Sequence, residues 1–227
     1  MLSKSDRHII EASKSRGWIL EPQAKQIMAG RGFDIPNFVL TDSIAVAGTF
    51  LRNAPGPVVA KAVSEKIIHK TEFAAVVTGI SEEKILEREM IRLKALQGCE
   101  QVLVEEMVKG LEIIIGAKND FQFGPVVVLG LGGTSVEIYK DTAIRMAPVK
   151  SAEVASMVDS LQGKRLFRGY RRSPGVNMAA LGQLVANFSS LIMDLEENFQ
   201  SIDLNPVICT QDRCVIADAR IMLVKGP

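Results

Sequence analysis

The side chains best able to do chemistry gather in the last stretch of the chain. Residues 201–209 and 214–223 read as two strands flanking Gln211-Asp212, a hairpin signal. With Gln211 and Asp212 as the central residues, Asn205 falls opposite Asp218 and Cys209 opposite Cys214. Asp203, two residues before Asn205 on the same strand, points to the same face. Three oxygen-bearing side chains then converge beside Ile202, Leu204, Val215 and Ile216. Hard oxygen donors in such a cluster suit Mg²⁺, whose shell is normally completed by water and phosphate oxygens. The same pattern also fits the polar solvent face of a hairpin. Pro206 has no N–H to give the ladder and marks a point where it can bulge.

Two further side chains stand out earlier. Lys61 sits in the apolar strand 58–63, where an unpaired buried charge is costly, so it needs an anionic partner or a wet cleft. It reads either as a phosphate-binding lysine or as a stem lying along the surface of an edge strand. His69 follows in the polar run Ile68-His69-Lys70-Thr71-Glu72. It reads either as an ordinary surface or capping histidine or as an imidazole nucleophile that splits one hard transfer into two easier ones. Gly130-Leu131-Gly132-Gly133 follows a strand but matches neither the P-loop nor the dinucleotide fingerprint. Tight-turn use is its default reading.

These residues need elements to place them. Helices are expected at 6–15, 21–31, 43–53, 81–97, 152–161 and 176–197, with Thr41 or Asp42 capping the third. Strands are expected at 35–40, 58–63, 74–80, 101–107, 112–118, 125–131, 136–140 and 143–148, besides the last hairpin. Asn119-Asp120 and Lys140-Asp141 are the hairpin signals among them. Helix-rich and strand-rich runs are segregated, which argues for an α+β fold rather than an alternating parallel sheet. Two subdomains are expected, 1–105 and 106–227, with a ligand in the cleft where they meet.

Composition narrows the partners. Lys+Arg 27 against Asp+Glu 26 gives a net charge of +1, and aromatics are 5%, so neither a basic field nor stacking platforms recruit nucleic acid. The 3 cysteines lack metal-knuckle spacing and suit a reducing compartment. The first residues carry no apolar run of signal-peptide length, and the apolar run 125–131 is too short for a bilayer. The expectation is a cytoplasmic protein with no membrane and no nucleic-acid partner.

Four stretches, in order, carry a family resemblance: VVAKAVSEKIIHKTEFAAVV (58–77), VLVEEMVKGLEIIIGAKND (102–120), FGPVVVLGLGGTSVEIYKDTAIRMAP (123–148) and IDLNPVICTQDRCVIADAR (202–220). Together they resemble the ATP-grasp subunit or domain of ADP-forming acyl-CoA synthetases, relatives of succinyl-CoA synthetase. The resemblance implies an ATP-grasp fold with nucleotide in the cleft of two α+β subdomains, and ATP/ADP with Mg²⁺ as cofactors. It implies that Lys61 contacts ATP phosphates, that Glu105 to Met107 form the hinge meeting adenine, and that Glu112 contacts nucleotide beyond it. Asn205 and Asp218 match a Mg²⁺-coordinating pair, Asp203 the residue positioning a phosphohistidine, and His69 a histidine that carries phosphate.

The implied reaction is acyl-CoA + ADP + phosphate ⇌ carboxylic acid + CoA + ATP, run with a CoA-binding, ligase-bearing α-type partner subunit in a hetero-oligomer. Phosphoryl transfer is mostly positioning plus charge neutralisation, which a lysine, a metal and a dry cleft supply. Two stretches depart from the family pattern. Phe73-Ala74-Ala75 stand where paired glycines are common, and 169–177 lacks the usual glycine and aspartate after the arginine. The alternatives are a stand-alone ATP-grasp carboxylate ligase and a non-catalytic nucleotide-binding regulatory subunit.

Overall fold

The structure, a computed structural model, describes residues 1–67, 70, 72–133, 141–171, 173–195 and 198–224. Contacts divide the chain into two compact units: Pro36–Val108, and Met1–Ile35 together with Lys109–Pro227. The expected division into 1–105 and 106–227 is corrected by this, because the N-terminal helices belong with the later half. The cause is β1 (Trp18–Ile19), a strand too short to show any periodicity. It pairs antiparallel with β13 (Arg220–Leu223), Trp18 against Met222 and Ile19 against Ile221.

That pairing brings α1 (Lys4–Ser13) and α2 (Glu21–Gly30) to the same core. A capping box opens α1, with Ser3 and Asp6 exchanging side-chain and backbone hydrogen bonds. In α2 the acidic Glu21 and Pro22 open the first turn, as expected. Its Lys25 is wholly buried and lies 3.0 Å from the Glu21 carboxylate one turn earlier.

The Pro36–Val108 unit is a four-stranded antiparallel sheet in the order β2-β5-β3-β4. These strands are β2 (Phe38–Thr41), β3 (Val58–Ser64), β4 (Val76–Ile80) and β5 (Cys99–Glu106). Helices α3 (Ile44–Asn53) and α4 (Glu83–Lys94) complete it. Leu86, Met90 and Leu93 recur at helical spacing and pack with Ala47 and Leu51 against Val58, Ala60, Val102 and Val104. Ser43, not Thr41 or Asp42, is the cap of α3, accepting from Val46 N–H, while Thr41 Oγ1 accepts from Ser43 N–H.

The other unit centres on a seven-stranded sheet in the order β1-β13-β11-β6-β7-β8, with β12 beside β11. Here β6 is Leu111–Asp120, β7 Gly124–Leu131, β8 Thr142–Met146, β11 Phe199–Cys209 and β12 Cys214–Ile216. One face, with Ile113, Ile115, Val127, Leu129, Ile202 and Leu204, joins the core cluster with α5 (Ser151–Ser160) and α7 (Met178–Leu195). Each such fully buried side chain stabilises the fold by about 1.5–3 kcal/mol. By alternation, Glu112, Asp203 and Asn205 take the opposite face. Helix α7 has the length and apolarity of a membrane span, and half of that stretch is buried in this unit.

Several local expectations shift. The β6–β7 turn is Phe121-Gln122-Phe123, beyond Asn119 and Asp120, which pair with Pro125 and Gly124, and Asp120 Oδ1 accepts from Gln122 and Phe123 N–H. A short helix α6 (Lys164–Arg168) and the small pair β9 (Gly169–Tyr170) and β10 (Ser173–Pro174) appear where no element is expected. The expected strand 136–140 lies outside the described residues.

Candidate functional site

The candidate residues form two clusters, one in each unit. In Pro36–Val108, Lys61 lies on β3 between β4 and β5, so it is on an interior strand and the edge-strand reading is corrected. Its side chain is 5% exposed and its Nζ stands 2.8 Å from Oε1 of Glu105, itself 2% exposed. Lys61 is the register partner of Leu103 and Val59 that of Glu105, so the pair meets diagonally on the face away from α3 and α4. A charge in such a place needs a counter-charge, and Glu105 supplies it. This assigns Glu105 a partner that the hinge expectation did not include.

The main chain after Glu105 is also engaged. Glu106 N–H donates to Asn37 O at 3.0 Å and Met107 N–H to Pro57 O at 3.0 Å. Asn37 Nδ2 adds a bond to Glu106 Oε1. A base meeting Met107 through main chain would therefore use its carbonyl, since its N–H is taken. His69 lies outside the described residues. Just beyond it, Ala75 N–H donates to Lys70 O, and Arg92 Nη2 donates to Ala74 O at 2.9 Å. Ala74 has φ of 47°, the left-handed region that glycine occupies freely. Two neighbouring arginines, Arg92 above all and then Arg88, hold the Glu89 carboxyl below its ordinary range.

In the other unit the hairpin register is as expected at its tip. Cys209 pairs with Cys214 and Val207 with Ile216. The same register resumes beyond, with Asp203 against Arg220 and Ile202 against Ile221. The partner strand is broken in two, however, and Asn205 and Asp218 fall level with each other inside the gap. Pro206 is the physical reason: its carbonyl accepts from Ala217 and Asp218 N–H, but it has no N–H to return. The register with β6 slips at the same place, between Leu204 and Val207. The expected ladder pair is thus a bulge with two oxygen donors beside it, Asn205 exposed and Asp218 half-buried.

Asp203 has a partner that sequence reading overlooked. Arg220 Nη2 donates to its Oδ2 at 3.2 Å from directly across the β11–β13 ladder. The signal was available, since the register that sets Asn205 against Asp218 also sets Asp203 against Arg220. Glu112 is exposed on β6, and the glycine run after β7 folds over it. Gly133 has φ of 68°, and a Cβ there would stand 2.8 Å from Glu112 Oε2. A Cβ on Gly132 would stand 2.9 Å from Glu112 main chain. The glycines allow close approach to Glu112, beyond serving the turn.

Among the described residues no three His, Cys, Asp or Glu form a metal-holding group. A cation at the bulge would have one carboxylate and one amide oxygen, with the remaining positions left to water and phosphate. That donor set fits Mg²⁺ and not a closed thiolate or imidazole site.

Comparison with known proteins bears on the family and the fold. The pattern of the ATP-grasp domain matches residues 11–223. The chain is 32% identical over 228 residues to the β subunit of ADP-forming acetate–CoA ligase I of Pyrococcus furiosus, covering 96% of this chain and 97% of that one. It is 31% identical to the ADP-forming 4-hydroxybutyrate–CoA ligase of Nitrosopumilus maritimus, of which it spans 31%. Among solved structures, an acetyl-coenzyme A synthetase of Candidatus Korarchaeum cryptofilum superposes with a TM-score of 0.88 at 31% identity, covering 96% of this chain and 100% of that one. That enzyme has also been solved with coenzyme A and Mg-AMPPCP, its phosphohistidine segment pointing towards the nucleotide-binding site.

Proposed function

Since the chain belongs to the ATP-grasp family, alongside the β subunits of ADP-forming acetate–CoA ligases, we propose that it moves a phosphoryl group between ADP/ATP and a phosphohistidine. The overall reaction is acyl-CoA + ADP + phosphate ⇌ carboxylic acid + CoA + ATP. The observation that carries this reading is the bulge at Pro206, which leaves Asn205 and Asp218 level and out of the ladder.

Asn205 and Asp218 are the residues assigned to Mg²⁺. When bound, that ion would neutralise charge on the phosphate oxygens during transfer. Lys61 contributes a second positive charge, held in one position by Glu105, so it needs no reorganisation to meet a phosphate. The carbonyl of Met107 and the carboxylate of Glu112 are assigned to the nucleotide. Asp203, fixed by Arg220, is assigned to orienting the incoming imidazole. His69 is assigned as the histidine of this chain that carries phosphate. The partner is assigned as an α-type subunit with the CoA-binding and ligase parts. The lengths of relatives support that assignment: this chain matches a separate β subunit almost end to end and less than a third of the longer ligases.

Thermal unfolding with and without Mg-ATP tests the reading. At a hundredfold excess over Kd, a ligand of the folded state adds about 2.7 kcal/mol. Asp218→Asn and Asn205→Ala are expected to lose most of that gain, each read against its own melting temperature without ligand. An Asp218→Asn protein that binds Mg-ATP as tightly as the parent by calorimetry removes the metal assignment. With partner, acyl-CoA and phosphate present, His69→Ala is expected to abolish ATP formation but spare acyl phosphate formation. Full turnover of that variant removes His69 from the mechanism.

A further inference from the structure

Cys209 and Cys214 are free, buried and directly opposite each other on β11 and β12. Thr210 N–H donates to Arg213 O at 2.9 Å, which makes the rung at the turn a hydrogen-bonded one. Rungs alternate, so the next, Cys209 with Cys214, is non-hydrogen-bonded. Ile216 N–H confirms the phase, donating away from β11 to Asp34 O at 2.9 Å. Partners at such a rung have Cα atoms about 4.5 Å apart, inside the range of about 4.4–6.8 Å that a disulfide spans. The neighbouring Cys214 thiol, and then burial, push the Cys209 thiol above its ordinary range.

We propose that Cys209 and Cys214 are a reversible disulfide-forming pair, oxidised by small-molecule disulfides, that locks the tip of the hairpin bearing Asn205 and Asp218. A bond made by thiol exchange is undone by the same exchange when small thiols are in excess, as a regulatory bond requires. One protein thiolate attacks a sulfur of the reagent RSSR, forming a mixed disulfide and expelling RS⁻. The second cysteine then attacks the protein sulfur of that mixed disulfide and expels the other RS⁻. Two protein thiols are oxidised, RSSR is reduced to two RSH, and the two thiol protons end on the two leaving groups.

The exposed turn, Gln211-Asp212, has to swing aside for the reagent to enter. Asn177 resists this, its N–H bonding Thr210 O at 2.7 Å and its Nδ2 bonding Asp212 O at 3.2 Å. Access is therefore gated by the turn.

The test uses the folded full chain and excess oxidised glutathione, followed by alkylation and peptide mapping. A synthetic peptide of residues 205–218 is oxidised in parallel. The expected product is a Cys209–Cys214 link that dithiothreitol reverses, with Cys99 found alkylated or glutathionylated. Asn177→Ala is expected to form the same link about threefold or more faster, because local opening is easier. Separate glutathione adducts on Cys209 and Cys214, or free thiols at both when the peptide is fully oxidised, overturn the proposal. Cys209→Ala, which removes the link without adding a polar atom to the core, should instead leave Cys214 unlinked.

Discussion

Lys61 and Glu105 show how one residue's environment decides its use. A lysine on an interior strand has a buried carboxylate 2.8 Å away as its counter-charge. Replacing Glu105 with Leu strands that charge and is expected to cost about 3–5 kcal/mol in urea unfolding. Adding Lys61→Met should recover most of the loss, yet leave Mg-nucleotide binding impaired, which separates the pair's structural role from its proposed phosphate role. Ala74 is a second case. Left-handed backbone costs a residue with a Cβ about 1–2 kcal/mol, against about 0.5–1 kcal/mol of added chain entropy for glycine. Ala74→Gly is therefore expected to stabilise the protein by about 0.5–1 kcal/mol, read as a rise in the urea midpoint.

Among the elements, α4 links that turn to solution pH. Arg92 bonds both Ala74 O and Glu89, whose folded pKa is lowered. A lowered carboxyl contributes stability above its ordinary range and loses it as pH falls through the depressed value. Glu89→Gln is thus expected to flatten the acid limb of a urea-midpoint profile recorded from about pH 6 down to about pH 2. Elements with enough residues to show a period were legible in the sequence: α4 by Leu86, Met90 and Leu93, β11 by Ile202 and Leu204. That Asn205 and Asp218 fall level was legible too, because a two-residue turn sets the register over the whole hairpin. Elements of two residues, such as β1, carry no period and exist only through a partner far along the chain. Glu105 as the partner of Lys61 was hidden for a related reason: α4 and β4 separate the two strands in sequence, and only sheet order reveals that they adjoin.

The whole molecule consists of two units with separate cores, one continuous in sequence and one not. Truncation before Arg220 removes β13 and is expected to strip amide protection from β1, α1, α2 and β11 while β3 and β5 keep theirs, as hydrogen exchange with mass spectrometry would read. The discontinuity also sets a timetable for synthesis. Every strand of Pro36–Val108 is available soon after Val108 leaves the ribosome. Ile19 must wait for Ile221, nearly the full length of the chain. The helices made before Pro36 are therefore completed after the unit that follows them. Until β13 emerges, Ile9, Ile10, Ile27 and Met28 lack the completed sheet that buries them, so the demand for chaperone protection falls on a segment made well before β13 rather than on the newest one.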